Sequence, residues 1–285
     1  SLKEVKGRIA SVNSTRKITS AMKMVASAKL HKAQAAIESM LPYERRLHHI
    51  LTDFMSNCTE VTSPFIVKRE VKKVAVVVFA SNTSLCGGFN ANVIRHLVDL
   101  LAEYKPLGLE NILVFPVGKK VADAVRKLGF RIEGDFQHMA DKPSYQEAAD
   151  LAADLMKRFL HGDVDKVELL YNHFKSTASQ ILTRETYLPI DLNNEKKEEE
   201  RTIDYILEPS AEELMQEMLP KVLRMKMFTV LLDSNAAEHA ARTMAMQIAT
   251  DNANELLQEL TVMYNKSRQQ SITNELLDIV GGSMA

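Results

Sequence analysis

The sequence predicts a mixed α/β protein in which the two chain ends pair as a long antiparallel two-helix coiled coil, with a small α/β domain between them. Both ends are long stretches with few helix breakers, and both carry apolar residues at alternating spacings of four and three. The middle alternates β-rich and helix-like segments. The predicted coiled coil comprises 1–57 and 209–285, the α/β domain 72–190, and a charged connecting loop 191–208.

The N-terminal segment is predicted to be one long helix over 3–57. No Gly or Pro occurs within 8–41. Its apolar seam is formed by Ala26, Leu30, Ala33, Ile37, Met40, Leu47, Leu51 and Phe54. Pro42 is expected to bend the helix locally, because proline cannot donate its backbone hydrogen bond.

The C-terminal segment predicts a second helix of similar kind. Ser210 and Glu213 form a capping-box signature at its start, and Pro220 is expected to interrupt its first turns. The stretch 221–280 contains neither Gly nor Pro, and as a helix it would be roughly 90 Å long. Such a helix needs a partner along much of its length. Gly281 and Gly282 predict its end, and its seam is formed by Ala249, Ala253, Leu256, Leu260 and Met263.

The middle of the chain predicts a Rossmann-like domain with a partly parallel sheet. The β-branched run Val74–Phe79 is typical of a strand buried on both faces. Further strands are predicted at Ile112–Val117, 166–174 and 180–190. Helices are predicted at 93–104, 121–128 and 144–160.

Composition favours helix packing and excludes several classes of protein. Aromatic residues are few (Phe 10, Tyr 7, no Trp), whereas Met is abundant at 14. The sequence has no run of 18 apolar residues, so no membrane span is predicted. It also has no apolar signal core, so secretion is not predicted. Cys58 and Cys86 have no metal-ligand spacing and are expected to be free thiols in a reducing compartment.

The loop after the first strand, with Leu85, Cys86, Gly87 and Gly88, resembles a nucleotide-binding turn only superficially. It has neither the GxGxxG fingerprint nor the phosphate loop with its lysine. A tight turn or close backbone packing explains the two glycines better. No HExxH, GxSxG or Cys/His cluster occurs either, so no catalytic, cofactor-binding or metal-binding residue is predicted.

Two terminal segments are unusually polar for a coiled-coil seam. Residues 1–32 carry eight Lys or Arg and one Glu, which favours an acidic partner surface. Within them, 17–26 mixes small, Met and basic residues, a pattern equally compatible with a solvated face and with partner contact. Near the other end, 264–271 forms a polar collar on the helix, either a solvated turn or a row of donors in which Arg268 suits a carboxylate.

Both ends resemble the γ subunits of F-type ATP synthases. The resemblance rests at the N-terminus on Arg8-Ile9-Ala10, Thr15-Arg16-Lys17-Ile18-Thr19 and 21–26. At the C-terminus it rests on Glu238-His239-Ala240-Ala241-Arg242, 249–253, Tyr264-Asn265-Lys266 and 271–276. The middle adds Leu85-Cys86-Gly87-Gly88, but Ser81-Asn82-Thr83-Ser84 stands where that family often has Ser-Asp-Arg-Gly, so a charge pair and a glycine are missing.

The resemblance implies a non-catalytic central-stalk rotor that transmits torque between a membrane c-ring and a catalytic hexamer of α and β subunits. It implies that the tip, 276–285, lies in an apolar sleeve of that hexamer and that the nucleotide chemistry belongs to β. The α/β domain would bind the ε subunit and the c-ring. The hexamer-binding residues would be Lys17, Met22, Lys23, Arg242, Arg268, Gln269, Thr273 and Glu275.

The same resemblance places the protein on the cytoplasmic face of a bacterial inner membrane, as a peripheral protein without a cofactor. Two other classes remain open on the residues alone. One is a nucleic-acid-binding coiled coil that uses the basic N-terminal helix, which a salt-dependent shift would support. The other is a small enzyme built on the loop at Gly87 and Gly88, which tight nucleotide binding by the isolated chain would support.

Overall fold

The computed structural model describes residues 2–57, 63–190 and 211–283. Six α-helices and five β-strands occur in this part of the chain. In chain order they are α1 (Leu2–Asn57), β1 (Val74–Phe79), α2 (Phe89–Tyr104), β2 (Ile112–Val117), α3 (Lys119–Leu128), β3 (Arg131–Ile132), α4 (Gln137–Asp141), α5 (Tyr145–His161), β4 (Lys166–Ser176), β5 (Ser179–Leu188) and α6 (Ala211–Ser283). Two short 3₁₀ turns, Lys105–Leu107 and Leu109–Asn111, connect α2 to β2.

The central domain is a five-stranded sheet covered by helices on both faces. The strand order is β3-β2-β1-β4-β5, and every pairing is parallel except that of β4 with β5. Every residue of β1 is buried, because its alternate side chains enter two different cores. Val74, Val76 and Val78 pack with α2 and α3, whereas Ala75, Val77 and Phe79 pack with α5 and α6. The predicted α/β domain with a partly parallel sheet is therefore confirmed.

The two terminal helices pair antiparallel, as the two seams predict. As α1 runs back from Lys23 through Thr19 to Arg16, its contacts on α6 advance from Gln247 through Thr250 to Asn254. Farther down, Leu30 and Ala33 pack against Ala236 and Ala240 in a small buried cluster. The alanines on both helices let the two backbones approach closely, which suits a continuous two-helix shaft.

The predicted seam of α1 is confirmed where side chains are described, and that of α6 is correct only in part. Ala26, Leu30 and Ala33 are buried, and Ile37, Met40 and Leu47 are half-buried, whereas the side chains of Leu51 and Phe54 lie outside the described part. On α6, Ala253 and Leu260 are buried, but Leu256 is 42% exposed and Met263 is 50% exposed. The intervening positions are taken by the half-buried Thr250, Leu257 and Tyr264. An alternating spacing of four and three fits both the predicted and the observed seam residues of α6. The position of α1 decides which of the two sets is buried.

Neither of the two prolines ends the helix in which it lies, so the predicted single long helix at the N-terminus is confirmed. Pro42 lies inside α1 and Pro220 inside α6. The expected end at Gly281 and Gly282 is wrong, since α6 continues to Ser283. A glycine ends a helix when it adopts a left-handed conformation, and Gly282 does not adopt one. Ser210 and the charged segment 191–208 lie outside the described residues.

The predicted boundaries in the central domain differ by a few residues, and two elements were missed. Helix α2 begins at Phe89, four residues before its predicted start, because the glycines of the preceding loop lead directly into it. The two-residue strand β3 and the five-residue helix α4 carry too few residues for any periodicity to appear. Neither changes the predicted topology, since β3 simply extends the sheet beyond β2.

Candidate partner-binding surfaces

The first candidate surface lies across α1 and α6 near the N-terminus. A groove of about 380 Å³ is lined by Arg16, Lys17, Ser20, Ala21, Met24, Thr250 and Asn254. The hydroxyls of Thr19 and Thr250, 2.8 Å apart, close the seam beside it. Arg16 donates to Asn254 Oδ1 (3.2 Å), so its guanidinium is held at the rim, whereas Lys17 is exposed. A basic, partly apolar groove of this kind suits an acidic segment of a partner.

Lys23 is not a freely moving cation beside this groove. Its ammonium donates to Gln247 Oε1 at 2.7 Å, and the amide of Gln247 in turn donates to both oxygens of Asp251 at 2.9 and 2.8 Å. Met22 is half-buried on the same turn of α1. Ile18, Met24 and Val25 are exposed although apolar, an arrangement that leaves apolar surface available to a partner.

The second candidate surface is the distal end of α6. Tyr264 and Ser267 are still half-buried, but every residue in 268–279 is exposed. This stretch includes the four predicted collar residues Arg268, Gln269, Thr273 and Glu275. The Thr273 hydroxyl donates to the Gln269 carbonyl at 2.9 Å, a bond within α6 itself.

The apolar residues of this distal segment are as exposed as its polar ones. They are Ile272, Leu276, Leu277 and Ile279. A single helix in water gains nothing from such side chains, since their burial is what stabilises packed helices. The distal end of α6 therefore presents apolar surface that α1 does not cover.

Arg242, which was predicted to contact a partner, is engaged within the chain. Its guanidinium donates to the Ser84 carbonyl (2.5 Å), to the Thr83 hydroxyl (2.9 Å) and, through two nitrogens, to Glu238 Oε1 (2.6 and 3.2 Å). Both charged side chains of the Arg242–Glu238 pair are about nine-tenths buried. A guanidinium with this many fixed acceptors positions the loop against α6.

That loop is a rigid structure built on Ser81 and Asn90. Asn90 Oδ1 accepts from the Ser81 backbone NH at 3.0 Å, and its amide donates to the Ser81 hydroxyl at 2.8 Å and to Cys86 Sγ at 3.2 Å. Cys86 is buried, with Phe89 and Ala237 packed around it. Gly87 has φ +59°, a left-handed conformation that favours glycine, whereas an added Cβ would make only ordinary contact with Ala245 of α6 at 3.8 Å. A tight turn, one of the two explanations that the sequence favoured, therefore accounts for this glycine.

The residues that depart from the family's pattern also fix the loop. The Asn82 amide donates to the Gln137 carbonyl at 2.8 Å, and its oxygen accepts from the Lys119 backbone NH at 2.8 Å. A neutral amide thus joins the loop to the starts of α3 and α4. Leu85 is the one non-glycine residue with positive φ in the described part of the chain (φ 69°), and its side chain is 60% exposed.

Several polar side chains attach the sheet domain to α6, and sequence reasoning missed them. Asp233 accepts from the backbone NH of Phe174 (2.8 Å), and its other oxygen lies 2.6 Å from His173 Nδ1. Asn235 donates to the Ala140 carbonyl (2.9 Å), and the Tyr187 hydroxyl donates to the Leu223 carbonyl (2.7 Å). Burial raises the pKa of Tyr187 well above 10, which keeps this hydroxyl a donor. The domain and the shaft are therefore joined by directional bonds as well as by apolar packing.

The sheet also contains a buried ionic cluster that the sequence analysis did not identify. Glu168, only 3% exposed, pairs with the Lys166 ammonium, with the Arg184 guanidinium (3.0 Å) and with the Tyr104 hydroxyl (2.9 Å). Burial by itself raises the pKa of Glu168, but the donors from Lys166, Arg184 and Tyr104 outweigh it, and the pKa lies below 4.5. A lone Glu inside the apolar run of β4 was the signal available in the sequence.

No site for a metal ion and no membrane span is present in the described ranges. Across 2–57, 63–190 and 211–283, no three His, Cys, Asp or Glu residues are grouped so that they could hold a metal ion. Within the same ranges no helix is both long enough and apolar enough to cross a membrane.

Comparison with known proteins decides the family. A family model described as ATP synthase matches residues 1–285. An ATP synthase gamma chain from Phocaeicola vulgatus is 82% identical over 287 residues, covering 100% of this chain and 99% of the relative. The chain belongs to the ATP synthase gamma-chain family. Family members from Bacteroides fragilis (65% identical, 100% and 99% covered) and Parabacteroides distasonis (52% identical, 99% and 98% covered) extend the match.

Solved structures of this family's assemblies share the fold. A chain in a structure of the Euglena gracilis mitochondrial ATP synthase, described as OSCP/F1/c-ring, has a TM-score of 0.64 at 20% identity and covers 100% of this chain and 94% of its own. A chain from the Tetrahymena thermophila mitochondrial ATP synthase central stalk and c-ring has a TM-score of 0.58 at 22% identity, with coverage of 81% and 99%. The gamma-chain fold of a helix pair with an inserted α/β domain is therefore common to both.

Proposed function

We propose that the chain is the central rotor stalk of an F-type ATP synthase. In this role it transmits torque between the membrane c-ring and the catalytic hexamer of α and β subunits, and it imposes the conformational asymmetry of the β subunits. The observation that carries the proposal is the distal part of α6, where 268–279 extends fully exposed with four large apolar side chains. A surrounding sleeve would bury these side chains.

The distal helix is suited to two different kinds of contact. Arg268, Gln269, Thr273 and Glu275 form a polar collar that engages loops of β, and Arg268 is able to bind a carboxylate through two nitrogens. Beyond the collar, the tip 276–285 acts as a bearing, because apolar contact has little directional preference. Turning the asymmetric collar presents a different set of contacts to each β subunit. Each β then favours a different conformation according to its contact energy.

The basic groove near the N-terminus supplies a second contact with the hexamer. Lys17, Met22 and Lys23 would face an acidic segment of β. The groove of about 380 Å³ and the exposed apolar side chains beside it support this placement. Because Lys23 is held by Gln247, its charge is presented in a fixed position and little conformational entropy is lost on contact.

A further contact with the hexamer is proposed for Arg242 and for the loop that contains Leu85, Cys86, Gly87 and Gly88. The four hydrogen bonds of Arg242 to Ser84, Thr83 and Glu238 make it a positioning residue that keeps this loop against α6. The exposed Leu85 is then available for contact with the hexamer at a fixed height on the shaft.

The remaining partners and the location follow from the family. The α/β domain would bind the ε subunit and the c-ring, and the chain would be a peripheral protein at the cytoplasmic face of a bacterial inner membrane. It would be non-catalytic, with the nucleotide chemistry on β and no cofactor of its own. The c-ring in the descriptions of the two structural neighbours supports this assignment of partners.

The proposal is tested by a tagged pull-down from gently solubilised membranes, followed by assays of ATP hydrolysis and ATP-driven proton pumping. Recovery of the α, β and ε subunits in a complex that hydrolyses ATP is the expected result. Recovery of the chain alone would overturn the proposal. Recovery with nucleic acid, released by salt, would favour a nucleic-acid-binding protein that uses the basic N-terminal helix.

A matched pair of variants tests the collar. Arg268→Ala is expected to lower proton pumping roughly tenfold, since it removes a charge-assisted contact with β. Arg95→Ala, which removes an equally exposed arginine on α2, is expected to leave pumping unchanged. Equal pumping by both variants would remove Arg268 from the proposed contact.

A further inference from the structure

The shaft contains a buried titratable group that the proposed function does not use. The His239 side chain is only 8% exposed, and its Nδ1 atom has no hydrogen-bond partner among the described residues. The carboxylate of Glu238 is 4.0 Å from that nitrogen, beyond hydrogen-bonding distance. Since Glu238 already accepts from Arg242 at 2.6 Å, its charge is committed elsewhere.

His239 lies where three elements meet. Its charged neighbours are Lys29 on α1, Asp141 on α4, and Glu238 and Arg242 on α6 itself. These neighbours comprise two positive and two negative groups, so there is no excess of negative charge to stabilise an imidazolium. On the neighbouring turns, alanines at 236 and 240 pack with Leu30 and Ala33 of α1, which leaves little space for a hydrated cation.

The neutral ring therefore fits this position and the charged ring does not. Burial lowers the pKa of His239 below its ordinary value of 6.5 and outweighs the carboxylate of Glu238, which is the strongest opposing influence; Lys29 and Arg242 act in the same direction as burial, and Asp141 acts weakly against it. An unfolded or locally opened chain takes up the proton first as the pH falls. The contribution of the neutral His239 ring to stability is therefore fully present above the pKa of the unfolded chain. It decreases as the pH falls below that pKa, and it stops decreasing below the lowered pKa of the folded chain.

We propose that His239, a buried ring without a hydrogen-bond partner at Nδ1, makes the junction of α1, α4 and α6 sensitive to acid, so that protonation of the ring loosens the helix pair beside the 81–90 loop. The junction lies between the sheet domain and the distal shaft, because Arg242 attaches that loop to α6 only one turn farther along. Acidification would then open the shaft locally at the level where the domain is joined to it. The inference concerns local stability and does not depend on the proposed function.

The test is hydrogen exchange measured by mass spectrometry on the full chain at pH 7.5 and 5.5, with rates corrected for the intrinsic pH dependence of exchange. The wild type, His239→Gln and His96→Gln are compared, because His96 is an exposed histidine on α2. Peptides covering 26–36 and 234–243 are expected to lose protection on acidification in the wild type and in His96→Gln, by up to about tenfold, the most that one proton binding to the opened state can produce at pH 5.5. In His239→Gln they are expected to lose less than twofold.

Two results would overturn the proposal. One is unchanged protection of these peptides in the acidified wild type, which needs no variant to interpret. The other is the same loss of protection in His239→Gln as in the wild type. If the His239→Gln chain fails to fold, His239→Asn, which carries a smaller neutral amide, is measured instead and judged by the same criterion.

Discussion

At the scale of single residues, charge is placed inside the protein only where fixed partners surround it. Glu168 lies in a strand that is otherwise apolar, and three donors from β4, β5 and α2 converge on its carboxylate. Burial lowers the pKa of Lys166, but the hydrogen bonds and charge attraction of Glu168 and Tyr104 together outweigh it and raise that pKa above 10.5. The cluster therefore remains ionised and links the edge strand β5 to the centre of the sheet.

Glu168→Gln is expected to destabilise the full chain by about 3 kcal/mol, because it leaves the charges of Lys166 and Arg184 without their carboxylate. Urea unfolding followed by circular dichroism measures the change in free energy of unfolding. Glu70→Gln is the control, since Glu70 is fully exposed and pairs only with Lys72; it is expected to change stability by less than about 0.5 kcal/mol. Equal effects of the two variants would contradict the structural role of Glu168.

The effect of Glu168→Gln on the free energy of unfolding is also expected to depend on pH. The stabilisation from the lowered pKa of Glu168 is fully present above 4.5 and is lost as the pH falls through the folded-state value. The stability difference between the wild type and Glu168→Gln is therefore expected to narrow below pH 4.5 and to stay constant from pH 5 to pH 7.

Leu85 illustrates a residue held in an unfavourable backbone conformation. A left-handed φ of 69° costs a branched side chain about 1 kcal/mol, whereas Asn tolerates it. Leu85→Asn is therefore expected to stabilise the chain by about 1 kcal/mol in the same unfolding assay. The comparison is Leu109→Asn, which alters a similarly exposed leucine without positive φ and is expected to give no gain. A destabilised Leu85→Asn would mean that the side chain has a packing role.

At the scale of elements, close backbone approach limits what the chain tolerates. Gly118 ends β2 with φ +114°, and a Cβ there would lie 2.2 Å from the Ala80 carbonyl oxygen. This glycine lets β1 and β2 end side by side, with the Ala80 NH donating to the Val117 carbonyl at 2.8 Å. The close approach of the loop after β1 to the start of α3 thus requires a residue without a Cβ atom at position 118.

Gly118→Ala is expected to cost about 3 kcal/mol of unfolding free energy, since it adds both a clash with backbone and an unfavourable φ. Gly7→Ala is the matched substitution in α1, where an added Cβ meets nothing within 4 Å. It is expected to stabilise the chain by about 1 kcal/mol, because alanine is the better helix former. A tolerated Gly118→Ala would show that the ends of β1 and β2 can separate.

At the scale of the whole molecule, the shaft is unevenly supported. Near the sheet domain α6 is buried, with α1 on one side and α4, α5 and β4 on others, whereas its distal part is fully exposed. A helix without tertiary packing is marginal in water. Stability within this one helix should therefore decrease toward the C-terminus when the partners are absent.

Hydrogen exchange of the isolated chain tests this expectation. Protection is expected to be high in 223–240, intermediate in 246–264 and close to that of an unfolded peptide in 268–279. Addition of the catalytic hexamer is expected to protect 268–279 and to leave 223–240 unchanged. Full protection of the whole stretch 221–280 in the isolated chain would contradict both expectations.

The sequence alone determined the class of fold, the antiparallel pairing of the terminal helices and four of the five strands of the central sheet. Those features come from periodicity, and periodicity reflects which face of an element is apolar. It also placed Ala26, Leu30 and Ala33 in the seam, because a sustained spacing of four and three leaves few alternatives for α1.

Only the tertiary structure decided the contacts that depend on residues far apart in the chain. Leu256 and Leu257 fit the helical spacing equally well, and the approach of α1 selects the second. Arg242 lies on an exposed-looking helix in the sequence, but the loop around Ser84 covers its guanidinium. Glu168 and His239 likewise become a stable ion cluster and an unpaired buried ring through neighbours on other elements. Local pattern fixes which residues face inward, whereas burial, charge pairing and hydrogen bonding arise when separate segments meet.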